Sequence, residues 1–182
     1  MKRNIGTLLI ILALASSCGQ KKLTKEIAAA QIISEYYTPP RFYDLQLSCA
    51  DPSVAAKMKN AGLDKDGLVT IQETYRGREI GNKLVTFTPA ATPYKLETSA
   101  ALQALGIQIV KVADFKFGVV KEIRDHGNGQ PIEVDYTQVN ENVNGFAKLA
   151  NYDFKEAKTK TARFTYDKEN GYRIVPKGKR SF

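Results

Sequence analysis

The strictest constraint on the fold is an alternation late in the chain. Ile132, Val134 and Tyr136 are apolar or aromatic, and Glu133, Asp135 and Thr137 between them are polar. A period of two sends these sets to opposite faces of an extended strand, so one face must be covered while the other meets water. The pattern recurs where Ala162, Phe164 and Tyr166 alternate with Thr161, Arg163 and Thr165. Gly127-Asn128-Gly129 marks a turn before the first of these strands. Lys168-Glu169-Asn170-Gly171 marks a hairpin after the second, with residues 172–175 returning. Two more apolar runs, 107–112 and 119–123, read as strands. Residues 98–182 are therefore expected to form a four- to five-stranded antiparallel sheet. Its apolar face needs a cover.

The cover comes from residues 24–97. Thr24 caps a first helix over 24–37, with Ala29, Ile32, Ile33, Tyr36 and Tyr37 at helical spacing. Thr38-Pro39-Pro40 stops it, because proline cannot continue a helix. Phe42, Tyr43, Leu45 and Leu47 make a short extended segment. Asp51 and Pro52 start a second helix that buries Val54, Met58 and Ala61 and ends at Gly62. Val69, Ile71 and Tyr75 read as a strand, residues 76–82 as a basic turn, and 84–88 as the return strand. Residues 99–105 fit a short helix, and 146–154 fit either a helix or a strand. The expected fold class is α+β: N-terminal helices with a β-hairpin, followed by the antiparallel sheet, with a soft boundary near residue 97.

The order helix, helix, Ala61-Gly62-Leu63, strand, basic loop and return strand resembles a winged-helix module over residues 24–95. That resemblance implies a recognition helix carrying Lys57, Lys59 and Asn60, and a wing carrying Arg76, Arg78 and Lys83. With the later sheet and its Tyr136-Thr137 strand, the layout is similar to a group of bacterial envelope lipoproteins. Likeness of layout implies no activity.

Residues 1–18 decide the compartment. Lys2 and Arg3 precede a mostly apolar core over 5–15, too short to span a bilayer as a helix. Ala15-Ser16-Ser17-Cys18 resembles the lipobox of bacterial lipoprotein signals. The resemblance implies cleavage before Cys18, a diacylglyceryl thioether on its sulfur and an acyl group on its amine. The mature chain would begin with a lipidated tether, residues 18–23, and keep its body close to a bilayer. Gly19 after the cysteine points to the outer membrane and a periplasmic orientation. Cys49 is then left without an intramolecular partner and reads as a small buried hydrophobe.

Chemistry-bearing patterns are sparse. His126 is the single histidine, in the turn Asp125-His126-Gly127. Asp64-Lys65-Asp66-Gly67 opens like a calcium loop, but Tyr75 stands where the closing glutamate belongs. No glycine-rich phosphate loop precedes a helix. No catalytic residue, metal or cofactor is expected, and Cys18 is the one modification site. The net charge of +8 falls by two with the signal and gathers at residues 20–25 and at Lys177, Lys179 and Arg180. Such ends suit a lipid surface or an anionic envelope polymer. The leading reading is a non-catalytic, membrane-anchored envelope module that contacts a polymer or another envelope protein through the C-terminal sheet. Tyr136, Tyr152, Arg163 and Tyr166 are its candidate contacts. A second reading is a hydrolase using Glu133 and Asp135 as paired carboxylates. A third is a winged-helix sensor or nucleic-acid module, which export disfavours.

Overall fold

The structure, a computed structural model, describes residues 22–72 and 83–176. Cys18, the wing residues Arg76 and Arg78, and the basic tail lie outside the described residues.

The first helix, α1 (Lys25–Tyr36), starts where Thr24 Oγ1 accepts the Ile27 amide at 3.3 Å. Its seam differs from the expected stripe. Ala28 and Ile32 are fully buried and Tyr36 continues that row, whereas Ile33 is 43% exposed. A short helix resting on a sheet buries one narrow i, i+4 row, and Ile33 sits a quarter-turn off it. Gln31, a quarter-turn from Ile32, donates its side-chain amide to the Tyr172 carbonyl.

Strand β1 (Arg41–Ser48) leads to α2 (Pro52–Asn60). Asp51 Oδ1 accepts the Ser53 amide at 2.7 Å, and Gly62 closes the turn at φ 73°. Helix α2 buries Ala55 and Met58, with Val54 and Ala61 partly covered. Losing an N-cap side chain costs about 1 kcal/mol. Asp51→Ala is expected to lower stability by that amount, read as a fall in urea midpoint with unchanged slope.

A two-stranded ribbon follows, β2 (Val69–Ile71) with β3 (Val85–Phe87), and then the short α3 (Ala100–Ala104). The amides of Leu84 and Val85 both donate to the Cys49 carbonyl, at 2.8 and 3.0 Å, which ties the ribbon to the start of α2.

The main sheet has five antiparallel strands in the order β1-β4-β5-β6-β7, curled into a half-barrel. Its later members are β4 (Ile107–Arg124), β5 (Ile132–Glu141), β6 (Lys158–Asp167) and β7 (Gly171–Ile174). Residues 107–112 and 119–123 are not two strands but parts of one, the 18-residue β4. Straight, it would span about 60 Å at strand rise. It bends instead, with register shifts against β5 between Phe117 and Val120 and between Val120 and Glu122. The edge strand β1 comes from the N-terminal half, so the sheet draws on both sides of residue 97. The ambiguous stretch after residue 145 is a 3₁₀ turn, Gly145–Leu149.

Two apolar cores flank the curled sheet. The first joins Leu47, Met58, Leu63, Val69, Val85, Val110, Val112 and Phe146, and it takes in Cys49. The second joins Ala28 and Ile32 of α1 to Val120, Val134, Tyr136, Ala162, Phe164 and Tyr172. Helices α1 and α2 thus serve different cores.

Gly118, at the bend of β4, has no room for a side chain. An added methyl would overlap the Thr137 hydroxyl, which accepts the Val119 amide at 3.0 Å. Gly118→Ala is expected to cost about 1–3 kcal/mol, the range of overpacking. Thermal unfolding beside Gly118→Ala/Thr137→Ala, which removes the obstacle and should recover part of the loss, measures it.

Candidate functional site

The outward face of β4, β5 and β6 is a closed ion-pair network. Cross-strand pairing aligns Arg124 with Glu133, Glu122 with Asp135, Asp135 with Thr161 and Glu133 with Arg163. Arg124 grips Asp135 through both terminal nitrogens, Nη2 at 3.0 Å from Oδ1. It also donates to Glu122 at 3.0 Å and to Glu133 at 3.4 Å. Arg163 Nε donates to Glu133 Oε1 at 3.2 Å, and Thr161 donates its hydroxyl to Asp135 Oδ1 at 2.7 Å. His126 Nε2 lies 3.8 Å from Glu133 Oε2. The Arg124 guanidinium holds both Asp135 and Glu133 below the usual carboxylate range. Thr161 adds to this at Asp135, and Arg163 at Glu133. A glycosidase pair needs one carboxyl protonated near neutral pH. Here both are held ionised, so neither is available as a general acid.

A carboxylate whose pKa is lower folded than unfolded stabilises the fold above its unfolded pKa and stops doing so as pH falls through the folded one. Arg124→Gln is therefore expected to lower stability at pH 7 and to flatten its decline between about pH 5 and pH 3. Urea melts of both proteins across that range check it.

The other side of the half-barrel is different. The Thr38-Pro39-Pro40 stop turns the chain at the end of α1, bringing Tyr36, Tyr37 and Arg41 against the sheet. There β5 supplies Tyr136 and Gln138, and β6 supplies Lys160. Cross-strand register places Lys160 beside Tyr136, Lys158 beside Gln138, and Phe115 beside Arg41. Tyr36, Tyr37, Arg41, Tyr136, Gln138 and Lys160 line a throat of about 170 Å³. On one side it meets a cleft of about 500 Å³ at the β6 edge, which shares Tyr36 and Lys160. On the other it meets a cleft of about 520 Å³ that shares Arg41, Gln138 and Lys160. The shared residues set the three side by side as a groove that runs over the β6 edge, where Glu133, Thr161 and Arg163 of the outer network line its far cleft.

Its lining is cationic and aromatic. Arg41 and Lys160 are exposed, and neither forms an ion pair among the described residues. Tyr37 donates to Gln138 Oε1 at 3.5 Å, and its ring meets Tyr136 edge-on at 6.4 Å. Phe117 stacks on Tyr136 at 5.9 Å. Burial raises the phenol pKa of Tyr36, Tyr37 and Tyr136, so all three stay neutral hydrogen-bonding groups. The Tyr36 hydroxyl is buried without a hydrogen-bond partner. Beyond the throat, Tyr43, Phe115, Tyr152 and Phe154 form a half-buried aromatic cluster. Its Tyr152–Phe154 and Tyr43–Phe154 centroids are 4.7 and 5.2 Å apart. Lys158 Nζ stands 5.7 Å over the Tyr152 ring. Such a surface can hold an anion between two cations and lay a ring against aromatic carbon. It pairs no nucleophile with a base.

The four expected contacts do not share a face. Tyr136 is 5% exposed and reaches the groove only by its edge. Tyr152 belongs to the aromatic cluster, Arg163 is tied to Glu133 outside, and Tyr166 packs on Tyr172 at 5.1 Å near the β6–β7 turn. Arg41, Gln138 and Lys160 escape a reading by periodicity. One signal was available: the alternation through Phe164 and Ala162 continues back into Lys160 and Lys158, so cations occupy an apolar face. Cys49 is 4% exposed, and burial raises its thiol pKa. Among the described residues, no three His, Cys, Asp or Glu side chains are grouped to hold a metal ion. No described helix is long and apolar enough to cross a membrane. No family model, curated protein or solved structure matches the chain.

Proposed function

We propose that this chain is a lipid-anchored protein of the bacterial cell envelope that binds rather than catalyses. It would hang from the outer membrane through Cys18 and hold an anionic envelope polymer in the concave groove. One observation carries the binding reading: Arg41 and Lys160 both line a tyrosine-rich throat and have no carboxylate partner among the described residues, while the cations of the outer face are spent on Glu122, Glu133 and Asp135. Unpaired cations at a concave site favour an anionic ligand. The hydrolase reading is weaker because Arg124 keeps its two carboxylates ionised. The winged-helix reading asks α1 and α2 to pack as one unit, yet they line separate cores.

Two experiments test the proposal. Retardation of the protein in native gels containing an acidic polysaccharide, but not a neutral one, is expected at low salt and should fade as salt rises. Equal migration in both gels would remove the binding reading. For the anchor, Cys18→Ser should leave the body folded and move it from the membrane pellet to the soluble fraction. Retention in the pellet would remove the lipid claim.

A further inference from the structure

We propose that the groove is threaded by an internal stretch of a linear acidic glycan, a chain of sugar rings bearing carboxylates. One carboxylate would sit at the throat between Arg41 and Lys160, with sugar rings on both sides. This rests on the binding reading above and names its ligand class.

Continuity is the first argument. The throat shares lining residues with a cleft on each side, and each cleft has about three times its volume. Such a shape accommodates a chain that enters, passes and leaves. A single small anion would use only the throat.

The second argument is the chemistry on either side. Toward β1, Tyr43, Phe115 and Tyr152 line the cleft, and aromatic carbon matches the apolar C–H face of a sugar ring. Toward β6 the lining becomes polar: Thr159, Thr161, Lys160 and Arg163. There the sheet has an open edge. Strand β7 covers β6 only across Phe164–Asp167, and the last rung runs from the Val175 amide to the Arg163 carbonyl at 2.7 Å. Pro176 follows and has no amide to offer. The outer edge of residues 158–162 is therefore left with backbone donors and acceptors beside the cleft, and no described strand pairs with it. With the hydroxyls of Thr159 and Thr161, this is the hydrogen-bonding surface that a hydroxyl-rich chain requires. Among the described lining residues the carboxylate is Glu133, which Arg124 and Arg163 neutralise, so it does not repel an acidic ligand.

The third argument separates this ligand from other polyanions. Polyphosphate has no apolar face to set against the Tyr152 cluster. An acidic peptide could add as a strand at the β6 edge, but an oligoglutamate carries no ring face to set against the Tyr152 cluster.

Calorimetric titration of the mature lipoprotein in detergent micelles tests the proposal. The probes are galacturonate, its linear hexamer, neutral cellohexaose, linear polyphosphate and an oligoglutamate. The hexamer should bind at least about 100-fold more tightly than the monomer, as expected when neighbouring subsites are filled by one chain. Cellohexaose, polyphosphate and oligoglutamate should each bind more weakly than the hexamer. Tyr152→Ala should weaken the hexamer about tenfold and leave the monomer unchanged, while Tyr152→Phe, which keeps the ring, should bind like the native protein. Hexamer binding no tighter than monomer binding would overturn threading. Polyphosphate or oligoglutamate binding as tightly as the hexamer, or equal hexamer affinity in Tyr152→Ala, would overturn the glycan assignment and leave the anion-binding reading standing. Binding of none of the acidic probes would overturn both.

Discussion

Reversing both groove cations, Arg41→Glu together with Lys160→Glu, is expected to abolish measurable binding of an acidic polymer and to leave the fold intact. Each cation would make a charge-assisted contact worth about 1.5–3 kcal/mol, or roughly ten- to hundredfold in affinity. Reversal replaces that attraction with repulsion, so the double variant should lose more than the two contacts alone. Either single variant should fall between. Both side chains are exposed and pair with no described acid, so the cost to stability should stay within about 0.5 kcal/mol. Lys57→Glu on α2, outside the groove, is the control and should bind like the native protein. A double variant that binds at native strength would place the ligand elsewhere. Gel retardation at low salt with a parallel thermal melt measures both effects.

The largest effect on stability is expected from Phe146→Ala. Phe146 is 0% exposed and sits in the first core, against which Tyr43 and Phe154 of the aromatic cluster also pack. Its amide donates to Asn144 Oδ1 at 3.0 Å, which fixes the start of the 3₁₀ turn. Its ring meets Phe87 of β3 at 5.8 Å and Tyr94 at 6.2 Å. One side chain therefore joins the ribbon, the 3₁₀ turn Pro89–Tyr94 and the sheet. Truncating a buried phenylalanine costs about 3–5 kcal/mol, a large part of the roughly 5–15 kcal/mol that holds a domain together. The melting temperature should fall by about 10 °C or more. Below that transition the throat should still bind an acidic polymer, because its Tyr36, Tyr37 and Tyr136 pack in the other core. A drop under about 1 kcal/mol would mean that the first core closes over the missing ring.

Local chemistry was legible in the residues. The caps at Thr24 and Asp51, the stop at Pro39, the alternation of β5 and β6 and the Gly171 hairpin each follow from a few neighbours. Features set by distant partners were not. Residues 107–124 look like two apolar runs because Asp114, Lys116 and Gly118 interrupt them, and only pairing with β1 and β5 makes them one strand. Residues 41–48 carry no mark that they will edge a sheet built mostly after residue 97. Helical periodicity pointed to a stripe containing Ile33, whereas the angle at which α1 meets the sheet selects the row through Ala28, Ile32 and Tyr36.

The candidate site was harder for the same reason. Arg41 and Lys160 lie far apart in the chain and become neighbours only when β1, α1 and β6 meet. The conspicuous acid pair, Glu133 and Asp135, was easy to see and turned out to be bound to Arg124, a residue that no short motif connects to them. Charge pattern identifies groups able to do chemistry. Pairing decides which of them remain free for it.

The central claim is that ligand fills the throat beside α1 and its two clefts, and does not centre on the Arg124 ion pairs of the outer face. Chemical-shift mapping of the isotope-labelled Cys18→Ser protein with a linear hexa-uronate tests it most directly. The largest shifts are expected at Tyr36, Tyr37, Arg41, Gln138, Tyr152 and Lys160, with smaller ones at Thr161 and Arg163 on the cleft rim and with Glu122 and Arg124 unmoved. Shifts centred on Arg124 and Asp135, with the groove residues silent, would contradict it.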